Sequence, residues 1–148
     1  MYQYSLYFFK SIYAVHFYYK VDILYRFLSQ YHYGKLQDRS SLKQVGFVLE
    51  EINIEEITQH FLSHHLDYVI ERSVNQECHE LTIKGNGQEM KVVQNGYAID
   101  VYADSLIDAD QLFFRYIKEY HPYVFVVNFE AQECGWILPL AKKANYNL

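Results

Sequence analysis

The stretch Gln88-Glu-Met-Lys-Val-Val-Gln-Asn-Gly-Tyr-Ala-Ile-Asp-Val-Tyr102 holds two runs of strand-forming residues joined at Asn95-Gly96. Asn and Gly tolerate the positive φ of a tight turn, so the runs Gln88 to Gln94 and Tyr97 to Tyr102 are expected to pair as an antiparallel hairpin. Just upstream, Cys78 to Lys84 is a further strand, connected to Gln88 through Gly85-Asn86-Gly87. Asp67 to Glu71 is expected to precede it as another strand. The middle of the chain is therefore a set of adjacent hairpins.

Outward from that centre, strands and helices interleave. From Tyr2 to Phe9 an extended chain puts Tyr2, Tyr4, Leu6 and Phe8 on one side and Gln3, Ser5, Tyr7 and Phe9 on the other. Ser11 is placed to cap a helix with Ile12, Val15 and Tyr19 on its core-facing side. Asp22 is placed to cap a second, whose stripe of Ile23, Leu24, Phe27, Leu28 and Tyr31 ends before Gly34. A polar loop from Lys35 to Ser41 then leads to an expected strand, Gln44 to Leu49. Asn53 caps a helix carrying Ile54, Ile57, Phe61 and His65 on one side.

Beyond the hairpins, Ser105-x-x-Asp108 forms a capping box before Leu106, Ala109, Phe113, Tyr116, Ile117 and Tyr120, and Pro122 stops that helix. Tyr123 to Phe129 is almost continuously apolar, as a strand covered on both faces should be, and a short tail with Gly135, Trp136 and Pro139 follows. This order predicts an α/β (α+β) fold: one domain over residues 1–148, with a mixed, largely antiparallel sheet packed against three to four helices.

Composition narrows the class. The 148 residues include 16 Tyr, 10 Phe and 1 Trp, so 18% are aromatic, which excludes disorder. A formal net charge of −5 disfavours general binding to a phosphate backbone. Apolar runs such as Tyr123 to Val127 fall far short of the roughly 20 residues needed to span a bilayer. The first residues lack the basic region and cleavage site of a signal peptide, and two cysteines make no disulfide framework, so the expected compartment is the cytoplasm.

Signals for catalysis are weak. Cys78 and His79 are consecutive strand residues and point to opposite faces, so they cannot serve as nucleophile and base; Cys134 is an isolated thiol. His60 and His64 lie one helical turn apart without an evident third metal ligand. Glu50, Glu51, Glu55 and Glu56 surround a helix start, where the helix dipole favours negative charge. Asp104, Asp108 and Asp110 lack the pattern of a calcium loop. The expectation is a protein that is not an enzyme, with no cofactor and no metal; a small enzyme of unknown reaction remains as an alternative.

The first helix is richer in aromatics than one core-facing stripe requires. With Ile12, Val15 and Tyr19 inward, Tyr13 and Phe17 share a second face one turn apart, where they could anchor a protein partner or pack beneath the loop from Lys35 to Ser41. A second reading is a single-stranded RNA- or DNA-binding module that stacks bases on sheet tyrosines, with Val45-Gly46-Phe47-Val48 as the strand core. The basic flanks of such a module are missing.

Tyr7-Phe8-Phe9-Lys10 followed by Tyr13-Ala14-Val15-His16-Phe17 resembles the N-terminal strand and helix of the sporulation inhibitor of replication (SirA) proteins. Ala109 to Lys118, with Phe113-Phe114, and the tail Gly135-Trp136-Ile137-Leu138-Pro139 resemble the same family in the same order. The resemblance implies a cytoplasmic regulator that binds the N-terminal domain of the replication initiator DnaA and blocks its assembly at the origin. It implies Tyr13 and Phe17 as the contact aromatics and Pro139 as a neighbour of the same surface; His16 and Lys20 are then candidate rim residues. The implied protein contacts neither nucleic acid nor membrane directly and is a monomer before it binds. One departure from the family pattern is Tyr18-Tyr19-Lys20-Val21, which replaces a more polar, glycine-containing stretch after the helix.

Overall fold

Strand β1 (Tyr2–Phe9) is the axis of the molecule. It pairs antiparallel with β6 (Ala98–Ala103) on one edge and with β7 (Val124–Asn128) on the other. A computed structural model describes residues 1–64, 69–75, 78–85 and 87–137. The sheet runs β3 (Val69–Asn75), β4 (Cys78–Gly85), β5 (Gln88–Asn95), β6, β1, β7, β8 (Glu133–Trp136), and the short β2 (Leu49–Glu50) pairs with the end of β1. Every described pairing is antiparallel.

The alternation of β1 produces two cores. Tyr4, Leu6 and Phe8 enter one, together with Ile57 and Phe61 of α4 (Ile54–His64) and with Phe113 and Ile117. Tyr7 and Phe9 enter the other, together with Ala14 of α1 (Ser11–Phe17), Leu24 and Leu28 of α2 (Val21–His32) and Val45 of α3 (Arg39–Val48). Helices thus cover both faces of the sheet, and the β1 tyrosines Tyr4 and Tyr7 are buried beneath them. On the second face Ser5 and Asp100 are cross-strand partners; the Ser5 hydroxyl donates to the buried carboxylate at 2.7 Å and the Asn95 amide donates to it at 3.2 Å.

Several local readings hold. The Asn53 side chain accepts from the Glu55 amide at 2.8 Å, and Ser105 Oγ accepts from the Asp108 amide at 3.1 Å. Gly34, at φ 73°, ends α2 in a Schellman motif: the Lys35 amide reaches the Gln30 carbonyl and the Gly34 amide that of Tyr31. The Asn95-Gly96 hairpin joins β5 to β6, with Gly96 at φ 60°.

Others need correction. Gln44 to Leu49 is not a strand: residues up to Val48 belong to α3, capped by Asp38, whose carboxylate accepts from the Ser41 amide at 3.1 Å. The Ser41 side chain first, and then this amide bond, hold the Asp38 pKa below its ordinary value. As a strand, Val45, Phe47 and Leu49 would share a face; as a helix, Val45 goes to the core and Phe47 to solvent. The Val45–Val48 segment is therefore no sheet platform for bases. This helix raises the count to five helical segments among the described residues. The fifth is built of α5 (Leu106–Ala109), a π-helical stretch (Asp110–Phe114) and α6 (Arg115–Tyr120).

Ser11 and Asp22 are not caps but first-turn residues, because α1 opens one residue and α2 two residues earlier than the side chains suggest, with Lys10 and Lys20 at the capping positions. The tail expected after β7 contributes β8, which continues the sheet. The expected inward position of His65, and Asp67, Asn86 and Pro139, lie outside the described residues.

Candidate functional site

Helix α1 is held at both ends. At its start the Lys10 ammonium donates to the Gly46 carbonyl of α3 at 2.8 Å, and the Lys10 amide donates to the Val48 carbonyl at 3.0 Å. Past its end the indole N–H of Trp136 donates to the Tyr18 carbonyl at 2.9 Å. The indole also stacks on the Tyr18 ring at 5.1 Å and meets Phe9 and Phe125 edge to face. Ala14 is the only fully buried side chain of α1, and its small size lets the helix lie close on the sheet.

This seating turns α1 away from the expected orientation. Ile12 is 74% exposed, Val15 63% and Tyr19 92%, so the stripe assigned to the core faces solvent. Phe17 and Tyr18 pack against the second core instead. Once Trp136 and Lys10 fix the helix ends, Ala14 is the residue beneath the axis and the stripe offset from it points out. Tyr13 and Phe17 are each half-buried, neither sealed inside nor freely projecting.

Three of the five residues singled out in the sequence meet. The His16 ring packs edge to face on Phe17 with centroids 4.7 Å apart, and the Lys20 ammonium lies 5.5 Å from the Phe17 centroid, where its charge is attracted to the ring face. Tyr13 joins them along a shallow, largely apolar hollow lined by Ile12, Tyr13, Val15, His16 and Phe17. Sequence reasoning missed Ile12 and Val15 as surface residues. The available signal was Ala14, a small residue between them that suits the close-packed side of a short helix.

The remaining candidates disperse into structural contacts. Glu50 faces His121 at 3.1 Å, and Glu56 accepts from the Tyr120 hydroxyl at 2.7 Å; burial and then this carboxylate push the Tyr120 pKa upward. The His60 ring lies against Tyr120 with centroids 5.4 Å apart, while the side chains of His64, Cys78 and His79 lie outside what the structure describes. Cys134 is half-buried beside Tyr4, Leu106 and Val126, and burial raises its thiol pKa, with Asp22 adding to the shift. Among the described residues no group of three or more His, Cys, Asp or Glu is placed to hold a metal ion, and no helix is long and apolar enough to cross a membrane.

What α1 presents is therefore a contact surface: an apolar ridge, two half-exposed rings and a cation at its edge. Large rings and aliphatic side chains exposed together on one short helix suit burial against another protein. No curated protein shows a significant match to the sequence. The family model described as "Sporulation inhibitor of replication protein SirA" matches residues 2–141, which takes in β1, α1 and Trp136. The chain belongs to the SirA family of sporulation inhibitors of replication.

Proposed function

We propose that this protein inhibits initiation of DNA replication by binding the N-terminal domain of the initiator DnaA and obstructing its assembly at the origin. The mechanism is stoichiometric occlusion in the cytoplasm, with no chemical step and no cofactor. Tyr13 and Phe17 serve as anchors, His16 and Lys20 as rim contacts, and Pro139 as a lesser support. The observation that carries this reading is the apolar surface of α1, where exposed Ile12 and Val15 flank the half-buried rings of Tyr13 and Phe17. A half-buried ring is already fixed in position by its own protein, so less side-chain entropy is lost when a partner covers the rest.

The test is a calorimetric titration of the protein with the N-terminal domain of its host's DnaA. Saturable binding is expected, weakened by about 30-fold or more when Tyr13 or Phe17 is replaced by Ala. No binding by the wild-type protein removes the DnaA reading. Wild-type affinity in a folded Tyr13→Ala, Phe17→Ala variant removes the anchor assignment.

A further inference from the structure

Charge is distributed unevenly over this chain. Between Lys10 and Val48, the segment that forms α1, α2 and α3, Lys10, Lys20, Arg26, Lys35, Arg39 and Lys43 are set against only Asp22 and Asp38. The rest of the sequence holds seven Lys or Arg and sixteen Asp or Glu. An acidic protein thus carries a helical layer with a positive excess.

The pairing of these charges differs as well. Lys20, Arg26, Lys35, Arg39 and Lys43 are all exposed, and none forms a salt bridge among the described residues. Elsewhere Lys84 pairs with Glu71, Lys91 with Glu80 and Arg115 with Asp110. The same layer exposes Ile12, Val15, Tyr19, Ile23, Leu42 and Phe47. Unpaired cations and uncovered apolar side chains therefore coincide. Lys20 follows Tyr19 at the end of the ridge, Arg26 lies three residues after Ile23 on α2, and Lys43 lies one helical turn before Phe47 on α3.

We infer that this layer docks a protein surface whose apolar groove is rimmed by carboxylates, with Lys20, Arg26 and Lys43 guiding the encounter and the α1 ridge setting its lifetime. The inference rests on the DnaA reading and adds the chemistry that the partner's contact face must have. A protein fits better than a nucleic acid, because the cations are spaced apart by aliphatic residues that have no counterpart on a phosphate backbone. Exposed rim charges act chiefly on association, since their attraction reaches about a Debye length, ~10 Å at 0.1 M salt, and is screened at contact by water.

The experiment is a stopped-flow or surface-binding measurement of association and dissociation with the host's DnaA N-terminal domain, at about 50 to about 500 mM NaCl. The proteins compared are the wild type, a Lys20→Glu, Arg26→Glu, Lys43→Glu variant and a Lys84→Glu, Lys118→Glu control, each shown to be folded by circular dichroism. The triple reversal turns the layer from a positive to a negative excess and is expected to slow association by about tenfold or more and to invert its salt dependence, while dissociation changes by less than about threefold; the control stays within about twofold of wild type. Wild-type binding together with an unchanged association rate in the triple variant overturns this inference alone. No wild-type binding overturns the DnaA reading and this inference with it. Tighter, salt-sensitive binding to a single-stranded oligonucleotide, or salt-sensitive self-association through this layer in sedimentation, also overturns it.

Discussion

Trp136 holds Tyr18 by two contacts at once: its indole N–H donates to the Tyr18 carbonyl at 2.9 Å, and its ring lies parallel to the phenol ring with centroids 5.1 Å apart. A residue of the last described strand thereby fixes the end of the first helix. The consequence is functional as well as structural, because the direction in which α1 displays Ile12 and Val15 depends on where its end is pinned. Trp136→Phe keeps most of the apolar bulk and removes the donor. It should destabilise the fold by about 1–3 kcal/mol in urea denaturation and speed hydrogen exchange in α1 relative to the central strands. Unchanged exchange in α1 would show that Lys10 alone suffices to seat the helix.

The ridge and the rings of α1 should separate in their effects. Phe17 packs against the second core, so Phe17→Ala is expected to weaken partner binding and also to lower the unfolding midpoint. Ile12 and Val15 are mostly exposed, so Ile12→Ser and Val15→Ser should leave stability within about 0.5 kcal/mol while still weakening binding. Denaturation and titration of the same three variants check this. A large stability loss at Ile12 or Val15 would mean that these side chains are covered by the protein itself.

The β5–β6 turn is pinned by an aromatic from the helical layer. A Cβ on Gly96, at φ 60°, would meet Tyr31 Oη at 2.6 Å, and that hydroxyl accepts from the Tyr97 amide at 3.2 Å. Gly96→Ala combines a left-handed backbone with a steric clash, and a loss of about 2 kcal/mol or more is expected. Tyr31→Phe in the same chain should recover part of the loss, since the clashing atom is gone. Failure of that rescue in urea melts would place the whole cost in the backbone.

These positions also mark what the sequence could and could not disclose. The alternation of β1, the Asn95-Gly96 turn and the Asn53 and Ser105 caps depend on residues within a few positions of one another, and each was legible. The orientation of α1 was not. Ile12, Val15 and Tyr19 make as good a core stripe as Ala14, Phe17 and Tyr18, and the choice is made by Trp136, more than a hundred residues away. The α3 segment failed for a related reason: an apolar run as short as Val45 to Leu49 fits either period, and the deciding signal was the Asp38 cap before it. Strand β8 was hidden because its approach depends on Gln132 adopting φ 57°, a conformation its residue type does not advertise. Tyr13 and Phe17 stand out from helical spacing and, with His16 and Lys20, take their contact roles from a resemblance, whereas the apolar surface around them is visible only with the packing.

The π-helical stretch carries a titration effect of definite sign. Its first residue, Asp110, keeps a side chain only 3% exposed, with one carboxylate oxygen 3.2 Å from the Arg115 guanidinium. Burial raises the Asp110 pKa above its ordinary value of 3.8, and the attraction of Arg115 offsets that only in part. A carboxyl raised on folding is more readily protonated in the native state than in the unfolded chain. Its contribution is therefore full below the unfolded-state pKa and is lost as pH rises through the native one. Asp110→Asn removes the titration while preserving the shape. The stability of the wild type relative to this variant should grow as pH is lowered from about 7 to about 4, measured by urea denaturation at each pH. A difference that shrinks with acid would mean that Arg115 outweighs desolvation and that the pair acts as a net ionic attachment within the helix.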